Sequence, residues 1–136
     1  MRKRFIGAVT AGAAAAVLGL APNVAHAADN DRLVTSTAGA AIGLTVDWTS
    51  DTSFVLRNVY LKDTVCDGDS VYFFIQVSGY HFPDHRNEGG CNSTASWTSM
   101  PGSFSGGAIA LTVTVCRDDF ADNCGTSRAS LNPYNP

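Results

Sequence analysis

The sequence predicts an all-β protein, a small antiparallel β-sandwich of about seven strands with two disulfides. Three observations carry this. Several runs alternate apolar and polar residues, turn-forming clusters separate them at short intervals, and four cysteines lie in the part of the chain that folds. No stretch shows the 3.6-residue apolar repeat of an amphipathic helix.

The strongest strand is the run from Ser70 to Tyr80, SVYFFIQVSGY. Val71, Phe73, Ile75 and Val77 make an apolar row. Tyr72, Phe74, Gln76, Ser78 and Tyr80 make a mixed row on the other face, because successive strand side chains point opposite ways. The run is expected to be the central strand, with the first row buried and Tyr72 and Tyr80 exposed together. Ile42, Leu44, Val46 and Trp48 alternate as cleanly and predict a second half-buried strand.

From Phe54 to Lys62 the pattern changes phase. Phe54, Leu56 and Tyr60 share one side, whereas Val55, Arg57, Val59 and Leu61 share the other. A bulge, which inserts one residue and re-aims the faces, would reconcile them. A short strand is expected over Thr94–Ser99 around Trp97. A strong one is expected over Ala108–Arg117, with Ile109, Leu111, Val113 and Val115 on one face. Thr126–Leu131 is a candidate last strand, and prolines keep the Asn132–Pro136 tail out of a sheet. Thr49–Ser53, Asp63–Asp69 and Met100–Gly107 read as turns. In His81–Gly90, Pro83 and the paired glycines predict a surface loop without regular structure.

The chain begins with Arg2-Lys3-Arg4, an apolar run from Phe5 to Leu20 and the small-residue triplet Ala25-His26-Ala27. This order is that of a secretory signal peptide, so cleavage is expected after Ala27 and the protein is expected outside the cell. Residues 28–40 then read as a flexible lead-in with at most a short strand at Leu33–Thr35, and residues 41–136 as the sandwich domain. The 109 residues after the signal carry six basic and twelve acidic side chains, with no two basic ones adjacent. Nucleic acid and anionic membranes both need clustered cations, so neither is an expected partner.

Cys66, Cys91, Cys116 and Cys124 form an even set without a Cys-x-x-Cys pair, which favours disulfides over metal or redox use. Of the three pairings, Cys66–Cys91 with Cys116–Cys124 is expected, because each closes a short loop across a turn.

No catalytic residues are assigned, and no cofactor or metal is expected. Gly102-Ser-Phe-Ser-Gly106 has Phe104 where a nucleophile elbow needs serine. His81, Asp84 and His85 are the candidate set for a small metal-dependent hydrolase, but they lack the helical His-Glu-x-x-His spacing and span Pro83. Asp63, Asp67 and Asp69, and separately Asp118, Asp119 and Asp122, have oxygen ligands suited to calcium without its spaced loop. Aspartates at turns more often cap their own backbone. The aromatic residues offer a different route. Trp48 reads as core, while Tyr60, Tyr72, Tyr80 and Trp97 could contribute to a stacking platform. The ligand-binding residues expected are Tyr72, Tyr80, His81 and His85.

The signal peptide, the run VYFFIQV, the GGC at Gly89–Cys91, and the closing VCRDDFADNCGTS and NPY together resemble small secreted disulfide-containing proteins of actinobacteria. That group implies no activity to carry over. The chain lacks the Cys-Pro-x-Val-Tyr run of the subtilisin-inhibitor-type proteins that such bacteria also export. The expected function is a non-enzymatic binding protein for an extracellular protein or a cell-surface glycan. A protease inhibitor presenting the Asp118–Asn123 loop is the first alternative and the metal-dependent hydrolase the second.

Overall fold

A computed structural model describes residues 30–136; the expected signal peptide lies outside the described residues. The described chain is all-β, and two antiparallel sheets face each other. β1 (Asp31–Thr37), β2 (Ala40–Trp48), β3 (Ser53–Asp63) and β7 (Thr94–Ser103) form the first sheet in the order β1-β2-β3-β7. The second sheet is built on β4 (Val71–Val77) and β8 (Ala110–Arg117). Short strands complete it: β5 (Tyr80–His81) and β6 (His85–Asn87) on β4, and β9 (Asn123–Thr126) and β10 (Ser130–Leu131) on β8.

The core lies between the sheets where the alternation puts it. Val71, Phe73, Ile75 and Val77 are buried, as are Ile42, Leu44, Val46 and Trp48 from the facing sheet. In β8, Leu111, Val113 and Val115 are buried. Ile109 precedes the strand and is exposed, so it does not join their row.

The phase change in β3 is a bulge. Gly43 pairs with Tyr60 and Thr45 with Arg57, which leaves two β3 residues, Asn58 and Val59, opposite Leu44. Asn58 takes the left-handed backbone conformation that the insertion needs, with φ of 51°. Phe54 and Leu56 therefore point inward before it, and Val59 and Leu61 after it. β7 follows the same change: Met100 and Gly102 face in at one end, Ala95 and Trp97 at the other, with Thr98 and Ser99 exposed between them.

Four segments differ from the sequence expectation. The strand expected only at Leu33–Thr35 runs Asp31–Thr37, pairs along its whole length with β2 and buries Leu33, so these residues belong to the sheet. β7 continues through Pro101 to Ser103; as an edge strand it has no second neighbour in its sheet to which a missing N–H would matter. The His81–Gly90 segment pairs with β4 on both sides of Pro83, which itself falls in the unpaired gap. Last, Thr126–Leu131 divides between β9 and β10.

Both expected disulfides form, Cys66–Cys91 and Cys116–Cys124. Two bridges in one small domain belong to an oxidising, extracellular type of environment. Among the described residues no helix is long and apolar enough to cross a membrane.

The two long edges of the sandwich differ, and this positions the site. On one side β1 lies against β8 and β9 so closely that a Cβ on Gly125 would run into the Ser36 carbonyl oxygen. On the other side, β7 and the β5–β6 segment leave a gap between the sheets.

Candidate functional site

The gap is an apolar cleft of about 130 Å³. Its floor is Phe54 and Leu56 of β3 with Phe73 and Ile75 of β4; Met100 and Pro101 close it from one sheet, Phe82, Pro83 and His85 from the other. An aromatic cluster surrounds it. Phe54 packs edge-on against both Trp48 and Phe82, at centroid distances of 5.7 and 5.9 Å. Phe82 continues to Tyr80 at 5.2 Å, and Tyr80 to Phe104 at 5.7 Å. Deeper along the same edge, Phe73, His85 and Trp97 pack on one another within 6 Å. Phe54 extends over Gly102 of β7, where a Cβ would strike its ring.

The four residues expected to bind ligand do not share a surface. Tyr72 is only 9% exposed. It lies on the outer face of the second sheet, with the Arg86 guanidinium over its ring at 4.9 Å. Burial, followed by the Asp122 carboxylate beside its hydroxyl, raises its pKa above the ordinary tyrosine value. Tyr80 is 54% exposed and faces the other way. Ser78 and Gly79 both have positive φ and make a two-residue hairpin turn, which puts Val77 and Tyr80 opposite each other on one face. Extending the strand parity through Tyr80 misses this reset, so the expected exposed pair of tyrosines is corrected.

The histidines are divided in the same way. His81 stacks on Phe74 at 3.9 Å on the outer face, with Nε2 3.1 Å from the Asp84 carboxylate. His85 stacks on Phe73 at 5.1 Å on the inner face, at the cleft. Consecutive phenylalanines on a strand point apart, so the two imidazoles cannot converge on one ion as the hydrolase alternative requires. Among the described residues no three His, Cys, Asp or Glu side chains are grouped to hold a metal.

The acidic loops do meet, and they share a cation that the protein itself supplies. Arg117 pairs with Asp67 at 3.2 Å and with Asp119, while the neighbouring Asp118 pairs with Arg86. Three carboxylate oxygens of these sets also cap turns: Asp63 accepts from the Val65 N–H, Asp67 from the Asp69 N–H and Asp119 from the Ala121 N–H. These contacts and the Cys116–Cys124 bridge fasten the loop from Asp118 to Asp122 on both sides. Phe120, at its tip, is completely exposed.

Of the cleft residues, only His85 is among the expected binding residues; Tyr80, also expected, packs on Phe82 beside the cleft. Phe54, Leu56, Phe73 and Ile75 were legible as apolar rows. That such a row opens to solvent depends on where β5 and β6 attach, which alternation alone does not encode.

Fold and site together define a disulfide-linked antiparallel β-sandwich with an aromatic-lined cleft at its open edge. Comparison with protein-family models, curated proteins and solved structures gives no match. The resemblance to exported actinobacterial proteins therefore rests on sequence layout alone.

Proposed function

We propose that this is a secreted, non-enzymatic binding protein that holds a bulky apolar side chain of an extracellular protein in the cleft between β7 and the β5–β6 segment. The observation that carries this reading is the cleft itself: an apolar recess lined by rigid aromatic rings, opening beside an exposed tyrosine. Recesses of this kind accept the anchor residue of a partner, and Tyr80 at the rim offers contact area with a polar edge. A volume near 130 Å³ suits one side chain rather than a larger ligand.

The test is capture from culture supernatant by the immobilised protein, compared with Met100→Glu, which places a charge in the cleft, and Tyr80→Ala. One defined extracellular protein retained by wild type and released by both variants, with unfolding midpoints preserved, supports the reading. Equal capture by all three proteins removes the cleft from it.

Phe120 favours a second reading, a secreted protease inhibitor. A lone apolar side chain on a fastened loop is preorganised to enter a specificity pocket. Inhibition of chymotrypsin or subtilisin that disappears in Phe120→Ala would support it; the absence of inhibition of either enzyme would remove it.

A further inference from the structure

Tyr60 faces solvent because of the bulge. Without the extra residue it would share the inner side with Phe54 and Leu56; past Asn58 it lies on the outer face of the first sheet. Its cross-strand partner is Gly43, and the ring lies over that glycine: a Cβ there would come within 2.5 Å of Cζ and 2.6 Å of Oη. One face of the ring rests on the sheet, and the side chain as a whole is half-buried. The flanking positions are low. Ser96 pairs with Tyr60 on the β7 side, and Ala41 and Thr45 flank Gly43 along β2.

A groove of about 260 Å³ lies on the other side of Tyr60, toward β7, with Asn58, Ser96 and Thr98 among its lining residues. Arg57, next to Asn58 in β3, is paired with Asp47 at 3.0 Å. Lys62 lies two residues beyond Tyr60 along β3 and is exposed.

We propose that this outer face is a second binding site, independent of the cleft, for a neutral polysaccharide of flat β-1,4-linked pyranose units. A pyranose presents an apolar face of axial C–H groups and a rim of equatorial hydroxyls. The first matches a flat aromatic ring, and the second, on a neighbouring unit of the chain, matches the short amide and hydroxyl side chains of the groove on the β7 side of Tyr60. The site lies on an open sheet face, so it accepts a unit within a chain. An aromatic ring covering a cross-strand glycine is also a way to stabilise a sheet. That role accounts for the ring over Gly43, but it requires neither the groove nor the hydrogen-bonding groups that line it.

The experiment is an NMR titration of the protein with cellohexaose and, separately, chitohexaose. Amide shifts confined to Asn58–Tyr60 and Ser96–Thr98 with either sugar are expected. Tyr60→Ala should weaken binding roughly tenfold or more, Tyr60→Phe should retain it, and Ser96→Arg should block the groove. Ser96 is exposed, so Ser96→Arg keeps the test decisive even where Tyr60→Ala lowers stability. Met100→Glu in the cleft should leave sugar binding unchanged, which separates this site from the protein-binding reading. No response around Tyr60 to either sugar, or binding unaffected by both Tyr60→Ala and Ser96→Arg, overturns the proposal.

Discussion

The indole N–H of Trp48 donates to the Ser130 hydroxyl across the interior of the sandwich, 3.1 Å apart in space and 82 residues apart in the chain. Both residues are buried, so the bond joins β2 to β10 where water does not compete. Ser130→Ala removes the acceptor and leaves a buried donor unpaired, at a cost of about 1–3 kcal/mol. Urea unfolding measures this directly. A loss well below that range would mean that the indole finds another acceptor.

The two disulfides close loops of unequal length, with sequence separations of 25 and 8 residues. Restriction of the unfolded chain is then worth about 3.5 kcal/mol for Cys66–Cys91 and about 2.5 kcal/mol for Cys116–Cys124. Replacing each pair by alanine in separate variants should lower the denaturant midpoint more for the first pair. The reverse order would show that the short bridge also stabilises native contacts, those of the Asp118–Asp122 loop above all.

Asp119 makes that loop sensitive to acid. The Arg117 guanidinium, helped by the Ala121 N–H, holds its carboxyl below the usual carboxylate range. A carboxylate with a pKa depressed by folding stabilises the folded form above its unfolded value, and the contribution disappears as pH falls through the folded value. The loop should therefore be fully fastened at neutral pH and loosen only below about pH 4, the ordinary aspartate value. The Ala121 amide shift should follow this transition, and Asp119→Asn should abolish it. A transition centred above the ordinary value would contradict the role given to Arg117.

Asn58 carries the bulge, and its positive φ is tolerated by Gly and Asn but not by β-branched residues. Asn58→Gly should leave stability nearly unchanged, whereas Asn58→Val should cost about 1–2 kcal/mol. Equal stability of the two variants in thermal unfolding would show that the bulge relocates rather than strains.

The parts of this fold that the sequence exposes are those governed by period-2 burial. The inward row from Val71 to Val77 and the row from Ile42 to Trp48 are core because one sheet face excludes water along its length. Even the bulge announced itself, since Phe54 and Leu56 could not otherwise be buried together with Val59 and Leu61. Tyr72 and Tyr80 mark where this reading ends. Tyr72 is covered by Arg86 from a neighbouring strand, and Tyr80 is turned over by a two-residue hairpin. Both effects depend on tertiary pairing rather than on the residue's own neighbours in sequence. The cleft was illegible for the same reason: its walls are core residues, and only the position of β5 and β6 leaves them uncovered.

The close seam between β1 and the β8–β9 hairpin has a consequence for the order of assembly. Thr37 bonds to Asn123 and Arg128 pairs with Asp31, contacts that span 86 and 97 residues. The first described strand can pair with β2 early, but its other edge is closed only once the penultimate hairpin exists. A chain emerging from its N-terminal end cannot complete this fold early, and dominance by distant pairings predicts slow folding, on the order of milliseconds to seconds. Such a polypeptide reaches its closed form only when nearly all of it is available to pair.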